Sequence, residues 1–266
     1  MENNVWYALL LTLFAGLSTG IGSFIAVFTK NNNHKFLSVG LGFSAGVMIY
    51  ISFVEILPKA NHMLEPCFET KMGLWVTLFA FFGGMLLITI IDKLVPKYEN
   101  PHEPPAPGAM DNIPANADKL KKLSVVSAIA IAIHNFPEGI ATFMSALQGI
   151  EIGLSIAVAV AIHNIPEGIA VAVPIFYATR SRKKAFKWSF LSGLAEPFGA
   201  IIAFLILMPF LSPLLMGIVF ASVAGIMIFI SLDELLPAAE TYGEHHLAIY
   251  GLLAGMAVVA VSLILL

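Results

Sequence analysis

The sequence predicts an all-α membrane protein of eight transmembrane helices, on three observations: a composition too apolar for water, apolar runs of spanning length, and duplicated segments within those runs. Of its 266 residues, 58% are hydrophobic and only 12% are charged, against about 45–50% and about 25% in water-soluble domains. Mean hydropathy is +0.87, so lipid is the expected solvent for the surplus apolar surface. The runs are apolar on all faces rather than alternating, which argues against barrel strands.

A span needs about 20 apolar residues. The first run, 5–28, lacks the basic segment and small-residue cleavage pattern of a secretory signal and is read as a span. The second and third lie at 36–58 and 73–92. A proline-rich stretch, 98–118, follows; it cannot bury apolar area and is expected to be a flexible cytoplasmic loop. The fourth and fifth runs, 123–147 and 152–178, are joined by a short loop and therefore run antiparallel. The last three are 187–209, 213–238 and 246–266. Trp6, Tyr7, Trp75, Tyr177 and Trp188 fall near span ends, where amphipathic rings favour the interface. All the spans are expected to form one transmembrane domain over 1–266.

Charge sets the orientation. Of the fourteen Lys and Arg residues, twelve, all but Lys59 and Lys71, fall in the loops after spans 1, 3, 5 and 7. Those loops are expected in the cytoplasm, which makes the chain a multi-pass protein of the cell membrane with both termini outside. A net charge of -3 and the absence of any basic groove exclude nucleic acid as a partner. The single cysteine, Cys67, excludes an internal disulfide and a thiolate metal cage, leaving His, Asn and carboxylates as ligands.

Self-comparison aligns AGVMIYISFVEILP at Ala45–Pro58 with AGIMIFISLDELLP at Ala224–Pro237 without a gap. A weaker match pairs GLSTGIGS (Gly16–Ser23) with GLAEPFGA (Gly193–Ala200). The repeated unit is then spans 1–3 and 6–8, and its odd offset of five spans inverts the second copy, as in many secondary transporters. Spans 4 and 5 repeat AIHNFPEGIA (Ala132–Ala141) as AIHNIPEGIA (Ala161–Ala170), with one difference. Lys122, Glu151 and Arg180 flank these motifs at nearly equal distances, so at about 1.5 Å per residue both motifs fall near the bilayer midplane.

Helical spacing puts His134 and Glu138, four residues apart, on one face, and likewise His163 and Glu167. Asn135 and Asn164 lie three residues before the same carboxylates. Pro137 and Pro166 remove a backbone donor and are expected to open the helix there. Span 6 adds Glu196, a third carboxylate in an apolar helix. An ionised carboxylate at a helix centre costs about 2.5–3.5 kcal/mol on insertion scales. With no intramembrane Lys or Arg, protonation or a bound dication must compensate. Imidazole with carboxylate suits Zn²⁺, Fe²⁺, Mn²⁺, Co²⁺ or Ni²⁺ and argues against copper(I). A second ion position beside the first then becomes available.

The paired HNFPEG and HNIPEG motifs, with GLSTGIGS and GLAEPFG, resemble the ZIP family of metal-ion transporters over the whole chain. That resemblance implies eight helices and zinc uptake into the cytoplasm, with Fe²⁺, Mn²⁺, Co²⁺ or Cd²⁺ as further cargo. It implies that zinc uses Glu138, His163 and Glu167, with His134 nearby. An adjoining position for Fe²⁺ or a second ion would use Asn135, Glu138, Asn164, Glu167 and Glu196. Many relatives carry a His-rich loop after span 3, whereas this loop has only His102. The metal is cargo, and no catalytic cofactor is expected. The expected partners are divalent ions, the bilayer and further copies of the chain in a homo-oligomer.

Blander readings compete at several positions. Glu55, Asp233 and Glu234 read equally as ion-path residues or as interfacial groups. His62, Glu65, Cys67, Glu69, His245 and His246 read better as solvated loop residues, and Met48 and Met227 as packing. Among functions, a membrane-embedded zinc-dependent hydrolase would explain the ligands but not the symmetry, and no HExxH is present. A sensor or a channel-like pore stays open beside the carrier.

Overall fold

In the computed structural model the described residues are 2–28, 34–68, 71–94, 135–210, 212–242 and 245–265, and among them every regular element is helical. Helix α1 is Glu2–Phe28. Helix α2, His34–Ile51, passes through a π-helical turn, Ser52–Ile56, into α3, Leu57–Leu64. Helix α4 is Met72–Leu94, α5 covers 135–148 and α6 is Ile150–Thr179. Helices α7, Arg182–Gly193, and α8, Ala195–Ile202, share one span. Helix α8 runs on through a π-helical turn, Ala203–Leu207, and helix α9, Pro213–Ile230, leads through another, Ser231–Leu235, into α10, Leu236–Tyr242. Helix α11 is His245–Leu265.

Seven helical segments among the described residues are long and apolar enough to cross a membrane, and they match seven of the runs read from the sequence. The fourth run, 123–147, is described only from 135 onward, as α5, and the loop at 98–118 lies outside the described residues. Ends are set locally. Ser212 Oγ accepts from the Leu215 amide ahead of Pro213, opening α9, and Ser181 caps α7 in the same way. Arg180 closes α6 in the left-handed region at φ 51°.

Prolines act differently from place to place. Helix α6 runs through Pro166 without a break, so the opening expected from the sequence does not occur there. One lost amide is tolerated because the bonds on either side persist and neighbouring helices clamp the segment. Span 6 does break, at Leu194: Pro197 cannot donate to the Gly193 carbonyl and its ring crowds that oxygen, so α8 restarts at Ala195. In spans 2 and 7 the strain appears as the π-turns. The Leu57 amide bonds to the Ser52 carbonyl and that of Leu236 to Ser231, each five residues back. The following residues, Pro58 and Pro237, crowd their own i−4 carbonyls and widen the turn. The two turns fall at equivalent positions of the ungapped sequence repeat.

The helices associate through glycines that let backbones touch, the usual device where lipid offers no hydrophobic drive between helices. Helix α1 packs on α6, α2 on α11 and α4 on α9. A Cβ at Gly168 would collide with the Thr19 carbonyl, and one at Gly22 with that of Ile165. Between α5 and α8 the same exchange joins Gly139 to Glu196 and Gly199 to Phe136. Gly46 and Gly255 meet Leu252 and Phe43, while Gly225 and Gly84 meet Phe81 and Ser222. Helices α4 and α11 turn Trp75, Phe79 and Phe82, and Tyr250, Leu253 and Val261, outward to lipid.

These contacts predict a sharp contrast between adjacent residues. Gly84→Ala drives a Cβ into the Ser222 backbone and is expected to destabilise the fold by about 1–3 kcal/mol. At Gly83 a Cβ meets nothing within 4 Å, so Gly83→Ala should be neutral or stabilising by up to about 1 kcal/mol. Denaturation midpoints in detergent micelles would measure both, and equal midpoints would refute the close approach.

Candidate metal centre

Three helices converge on one buried polar cluster. Helix α5 brings Asn135 and Glu138, α6 brings His163, Asn164 and Glu167, and α8 brings Glu196; all six are buried. The α5–α8 and α6–α1 glycine contacts lie one residue beyond Glu138 and Glu167, so the backbone is most closely packed where the carboxylates project. The helix restart after Leu194 puts Glu196 in the first turn of α8, facing the other two elements.

His163 Nε2 lies 3.3 Å from both carboxylate oxygens of Glu138. One ligand atom each from Glu138, His163 and Glu167 can be chosen so that all lie within 4.8 Å of one another. The 3.3 Å between His163 and Glu138 is slightly long for a direct N–H···O bond. It matches the separation of about 3.4 Å between ligands around a tetrahedral zinc with bonds near 2.0–2.1 Å. The group is therefore spaced to surround an ion.

Beside it, Asn164 Nδ2 donates to Glu196 Oε1 at 2.5 Å and to the Ala15 carbonyl at 2.9 Å. With the amide nitrogen committed twice, Asn164 Oδ1 is left for another partner, and it has none among the described residues. The same holds for both amide atoms of Asn135, His163 Nδ1 and Glu196 Oε2. Buried polar atoms are rarely left so. Such a concentration of them, beside carboxylates at one depth, is the donor set a hard or borderline dication accepts. No Lys or Arg occurs between Lys122 and Arg180, or after Lys187, so such a charge must come from outside the chain.

The structure thus brings Glu138, His163 and Glu167 together and joins Asn164 to Glu196; Asn135 is buried one turn before Glu138, while His134 lies outside the described residues. The Ala15 carbonyl was not foreseen, because a main-chain oxygen leaves no mark in the sequence. Nor was Ser44, whose Oγ donates to the His163 carbonyl at 3.3 Å. Elsewhere Glu55 pairs with Lys59 and His245 with Glu240 at 2.7 Å on the surface. Cys67 is exposed, and Met48 and Met227 are core packing residues.

Comparison with known proteins follows this geometry. The family described as ZIP zinc transporter matches residues 3–124 and 112–263. A protein named zinc transporter ZupT from Streptococcus mutans is 60% identical over 265 residues, covering 100% of this chain and 99% of its own length. A second, of the same name, from Lysinibacillus sphaericus is 61% identical, with 100% of both chains covered. A third, from Clostridium perfringens, is 56% identical over 99% of this chain and 97% of its own.

Removing any one of Glu138, His163 or Glu167 by substitution with Ala should lower zinc affinity at least about 100-fold, more than the loss of an outer-shell partner. Equilibrium dialysis of the purified protein tests this, and unaltered affinity in any of the three would exclude that side chain from the shell.

Proposed function

The chain belongs to the ZIP family of zinc transporters, and from that premise we propose that it carries zinc into the cytoplasm through a midplane site of Glu138, His163 and Glu167. It is a multi-pass membrane transporter rather than an enzyme. The observation that carries the site assignment is the mutual spacing of those three ligand atoms, buried in a bundle that supplies no positive side chain at that depth. The ion is cargo: the two carboxylates offset its charge while the imidazole completes a shell suited to zinc. Water is then exchanged for protein donors fixed before the ion arrives.

An adjoining position uses Asn135 and Asn164 oxygens with Glu196, sharing Glu138 and Glu167. Harder donors dominate there, and Fe²⁺, Mn²⁺, Co²⁺ or Cd²⁺ are its proposed alternative occupants. The orphaned Asn164 Oδ1 and Glu196 Oε2 favour this reading. His134, one turn before Glu138, belongs to the same proposal by its place in the motif.

The architecture we propose is eight spans in one domain, with spans 1–3 and 6–8 as inverted copies around spans 4 and 5. Its support is an exchange of contacts between the copies. Aligning Thr19 with Glu196 and Phe136 with Ile165 converts the α1–α6 glycine contacts into those of α5–α8. Aligning Phe43 with Ser222 and Phe81 with Leu252 does the same for α2–α11 and α4–α9. The matched π-turns obey the first of these registers in spans 2 and 7. Loop charge puts both termini outside and 98–118 in the cytoplasm, and a homo-oligomer is compatible with the lipid-facing helices α4 and α11.

In proteoliposomes the protein should accumulate radiozinc, and Glu138→Ala and Glu167→Ala should each abolish uptake. Uptake at the unsubstituted rate in either variant would reject the mechanism, whereas zinc-dependent hydrolysis without flux would reject the transport function.

A further inference from the structure

Half of the buried serine and threonine hydroxyls among the described residues bond within their own helix. Thr12, Ser23, Thr77, Ser155 and Ser231 each donate to the carbonyl four residues back. Thr19, Ser38, Ser52, Thr142 and Ser145 do not: all are fully buried, and none of their oxygens has a hydrogen-bond partner among the described residues; of these, only Thr142 and Ser145 lie on the helix that carries Glu138. A buried hydroxyl without a protein partner is unfavourable inside a membrane bundle, and such a group calls for a water or an ion as its partner.

The placement of that pair is not scattered. Thr142 and Ser145 lie four and seven residues beyond Glu138, and with Asn135 these residues occupy about 80° of the circumference of α5 at 100° per residue. Between them, Phe143 and Met144 fill the other sides of the helix and are fully buried and apolar. The corresponding positions after Glu167 are Val171 and Pro174. The polar stripe is therefore confined to one member of the duplicated pair and is not inherited from the motif.

We propose that Glu138, Thr142 and Ser145 form a hydrated track along α5, by which a divalent cation still holding part of its water shell passes between the buried cluster and the external end of the helix. Hydroxyl oxygens accept hydrogen bonds from the ordered first-shell waters of a dication and can replace one of those waters directly. The stripe thus strips the shell in steps rather than at once. This rests on the transport reading and on the orientation given by the loop charges.

Single cysteines test it. Cys67 is the protein's only thiol, and Cys67→Ser supplies a clean background. In intact cells a membrane-impermeant methanethiosulfonate should label Thr142→Cys and Ser145→Cys, zinc should slow that labelling, and Met144→Cys should stay unlabelled. Thr142→Val should raise the KM for zinc uptake about tenfold, as for loss of a hydrogen bond to a charged group, with equilibrium zinc affinity unchanged. No external labelling at Thr142→Cys and Ser145→Cys, equal labelling at Met144→Cys, or an unchanged KM would each overturn the track. Failure of the Cys67→Ser parent to take up zinc would instead count against the transport reading.

Discussion

Everything in this molecule is arranged around the burial of carboxylates at a depth where the chain offers no cation. Glu138, Glu167 and Glu196 are each almost wholly shielded from solvent, and the sequences on either side contain no Lys or Arg within reach of the midplane. Charge in such a place must be neutralised or balanced. Asn164 offers Glu196 one hydrogen bond, and His163 faces Glu138 across 3.3 Å. Those contacts orient the groups. A bound dication would balance their charge, so the affinity of such a site and the tolerability of its burial would have one origin.

Holding such a cluster requires rigid, closely packed walls, and the glycine exchanges supply them. Each of the helices α5 and α6 is pinned immediately after its acidic residue by a backbone contact to another helix. The ligand atoms are therefore fixed by main-chain geometry more than by side-chain packing. Preorganisation of this kind limits the reorganisation needed when an ion arrives. Ser44, reaching from α2 to the carbonyl of His163, ties the same segment to the neighbouring helices.

Much of this was legible in the chain. The apolar runs announced themselves by length, and the doubled HNxPEG motif pointed to the buried Glu138, His163 and Glu167 group because charged and imidazole groups are so rare in apolar text. Seven of the runs reappear as helices with ends shifted by a few residues. What stayed hidden had no side-chain signature: the Ala15 carbonyl that fixes Asn164, the π-turns before Pro58 and Pro237, and the register between α4 and α11. Apolar sequence is too degenerate to align Phe81 with Leu252 by composition. Proline misled once, since Pro166 suggested an opened helix while Pro197 produced the break. The difference lies in the surroundings, because α6 is gripped on several sides whereas Pro197 follows Gly193, which has no Cβ to resist a bend.

The contact exchange also sets Thr19 against Glu196 as counterparts, each lending its carbonyl to a glycine beside the centre. One position carries a neutral hydroxyl and the other an acid, so the field around the cluster is uneven although the backbone contacts match. A positive charge there is drawn toward α8. The two sides of the cluster are then inequivalent to a passing ion although the backbone contacts around it are alike, and the Glu196 side chain adds to the one-sidedness of the α5 hydroxyls.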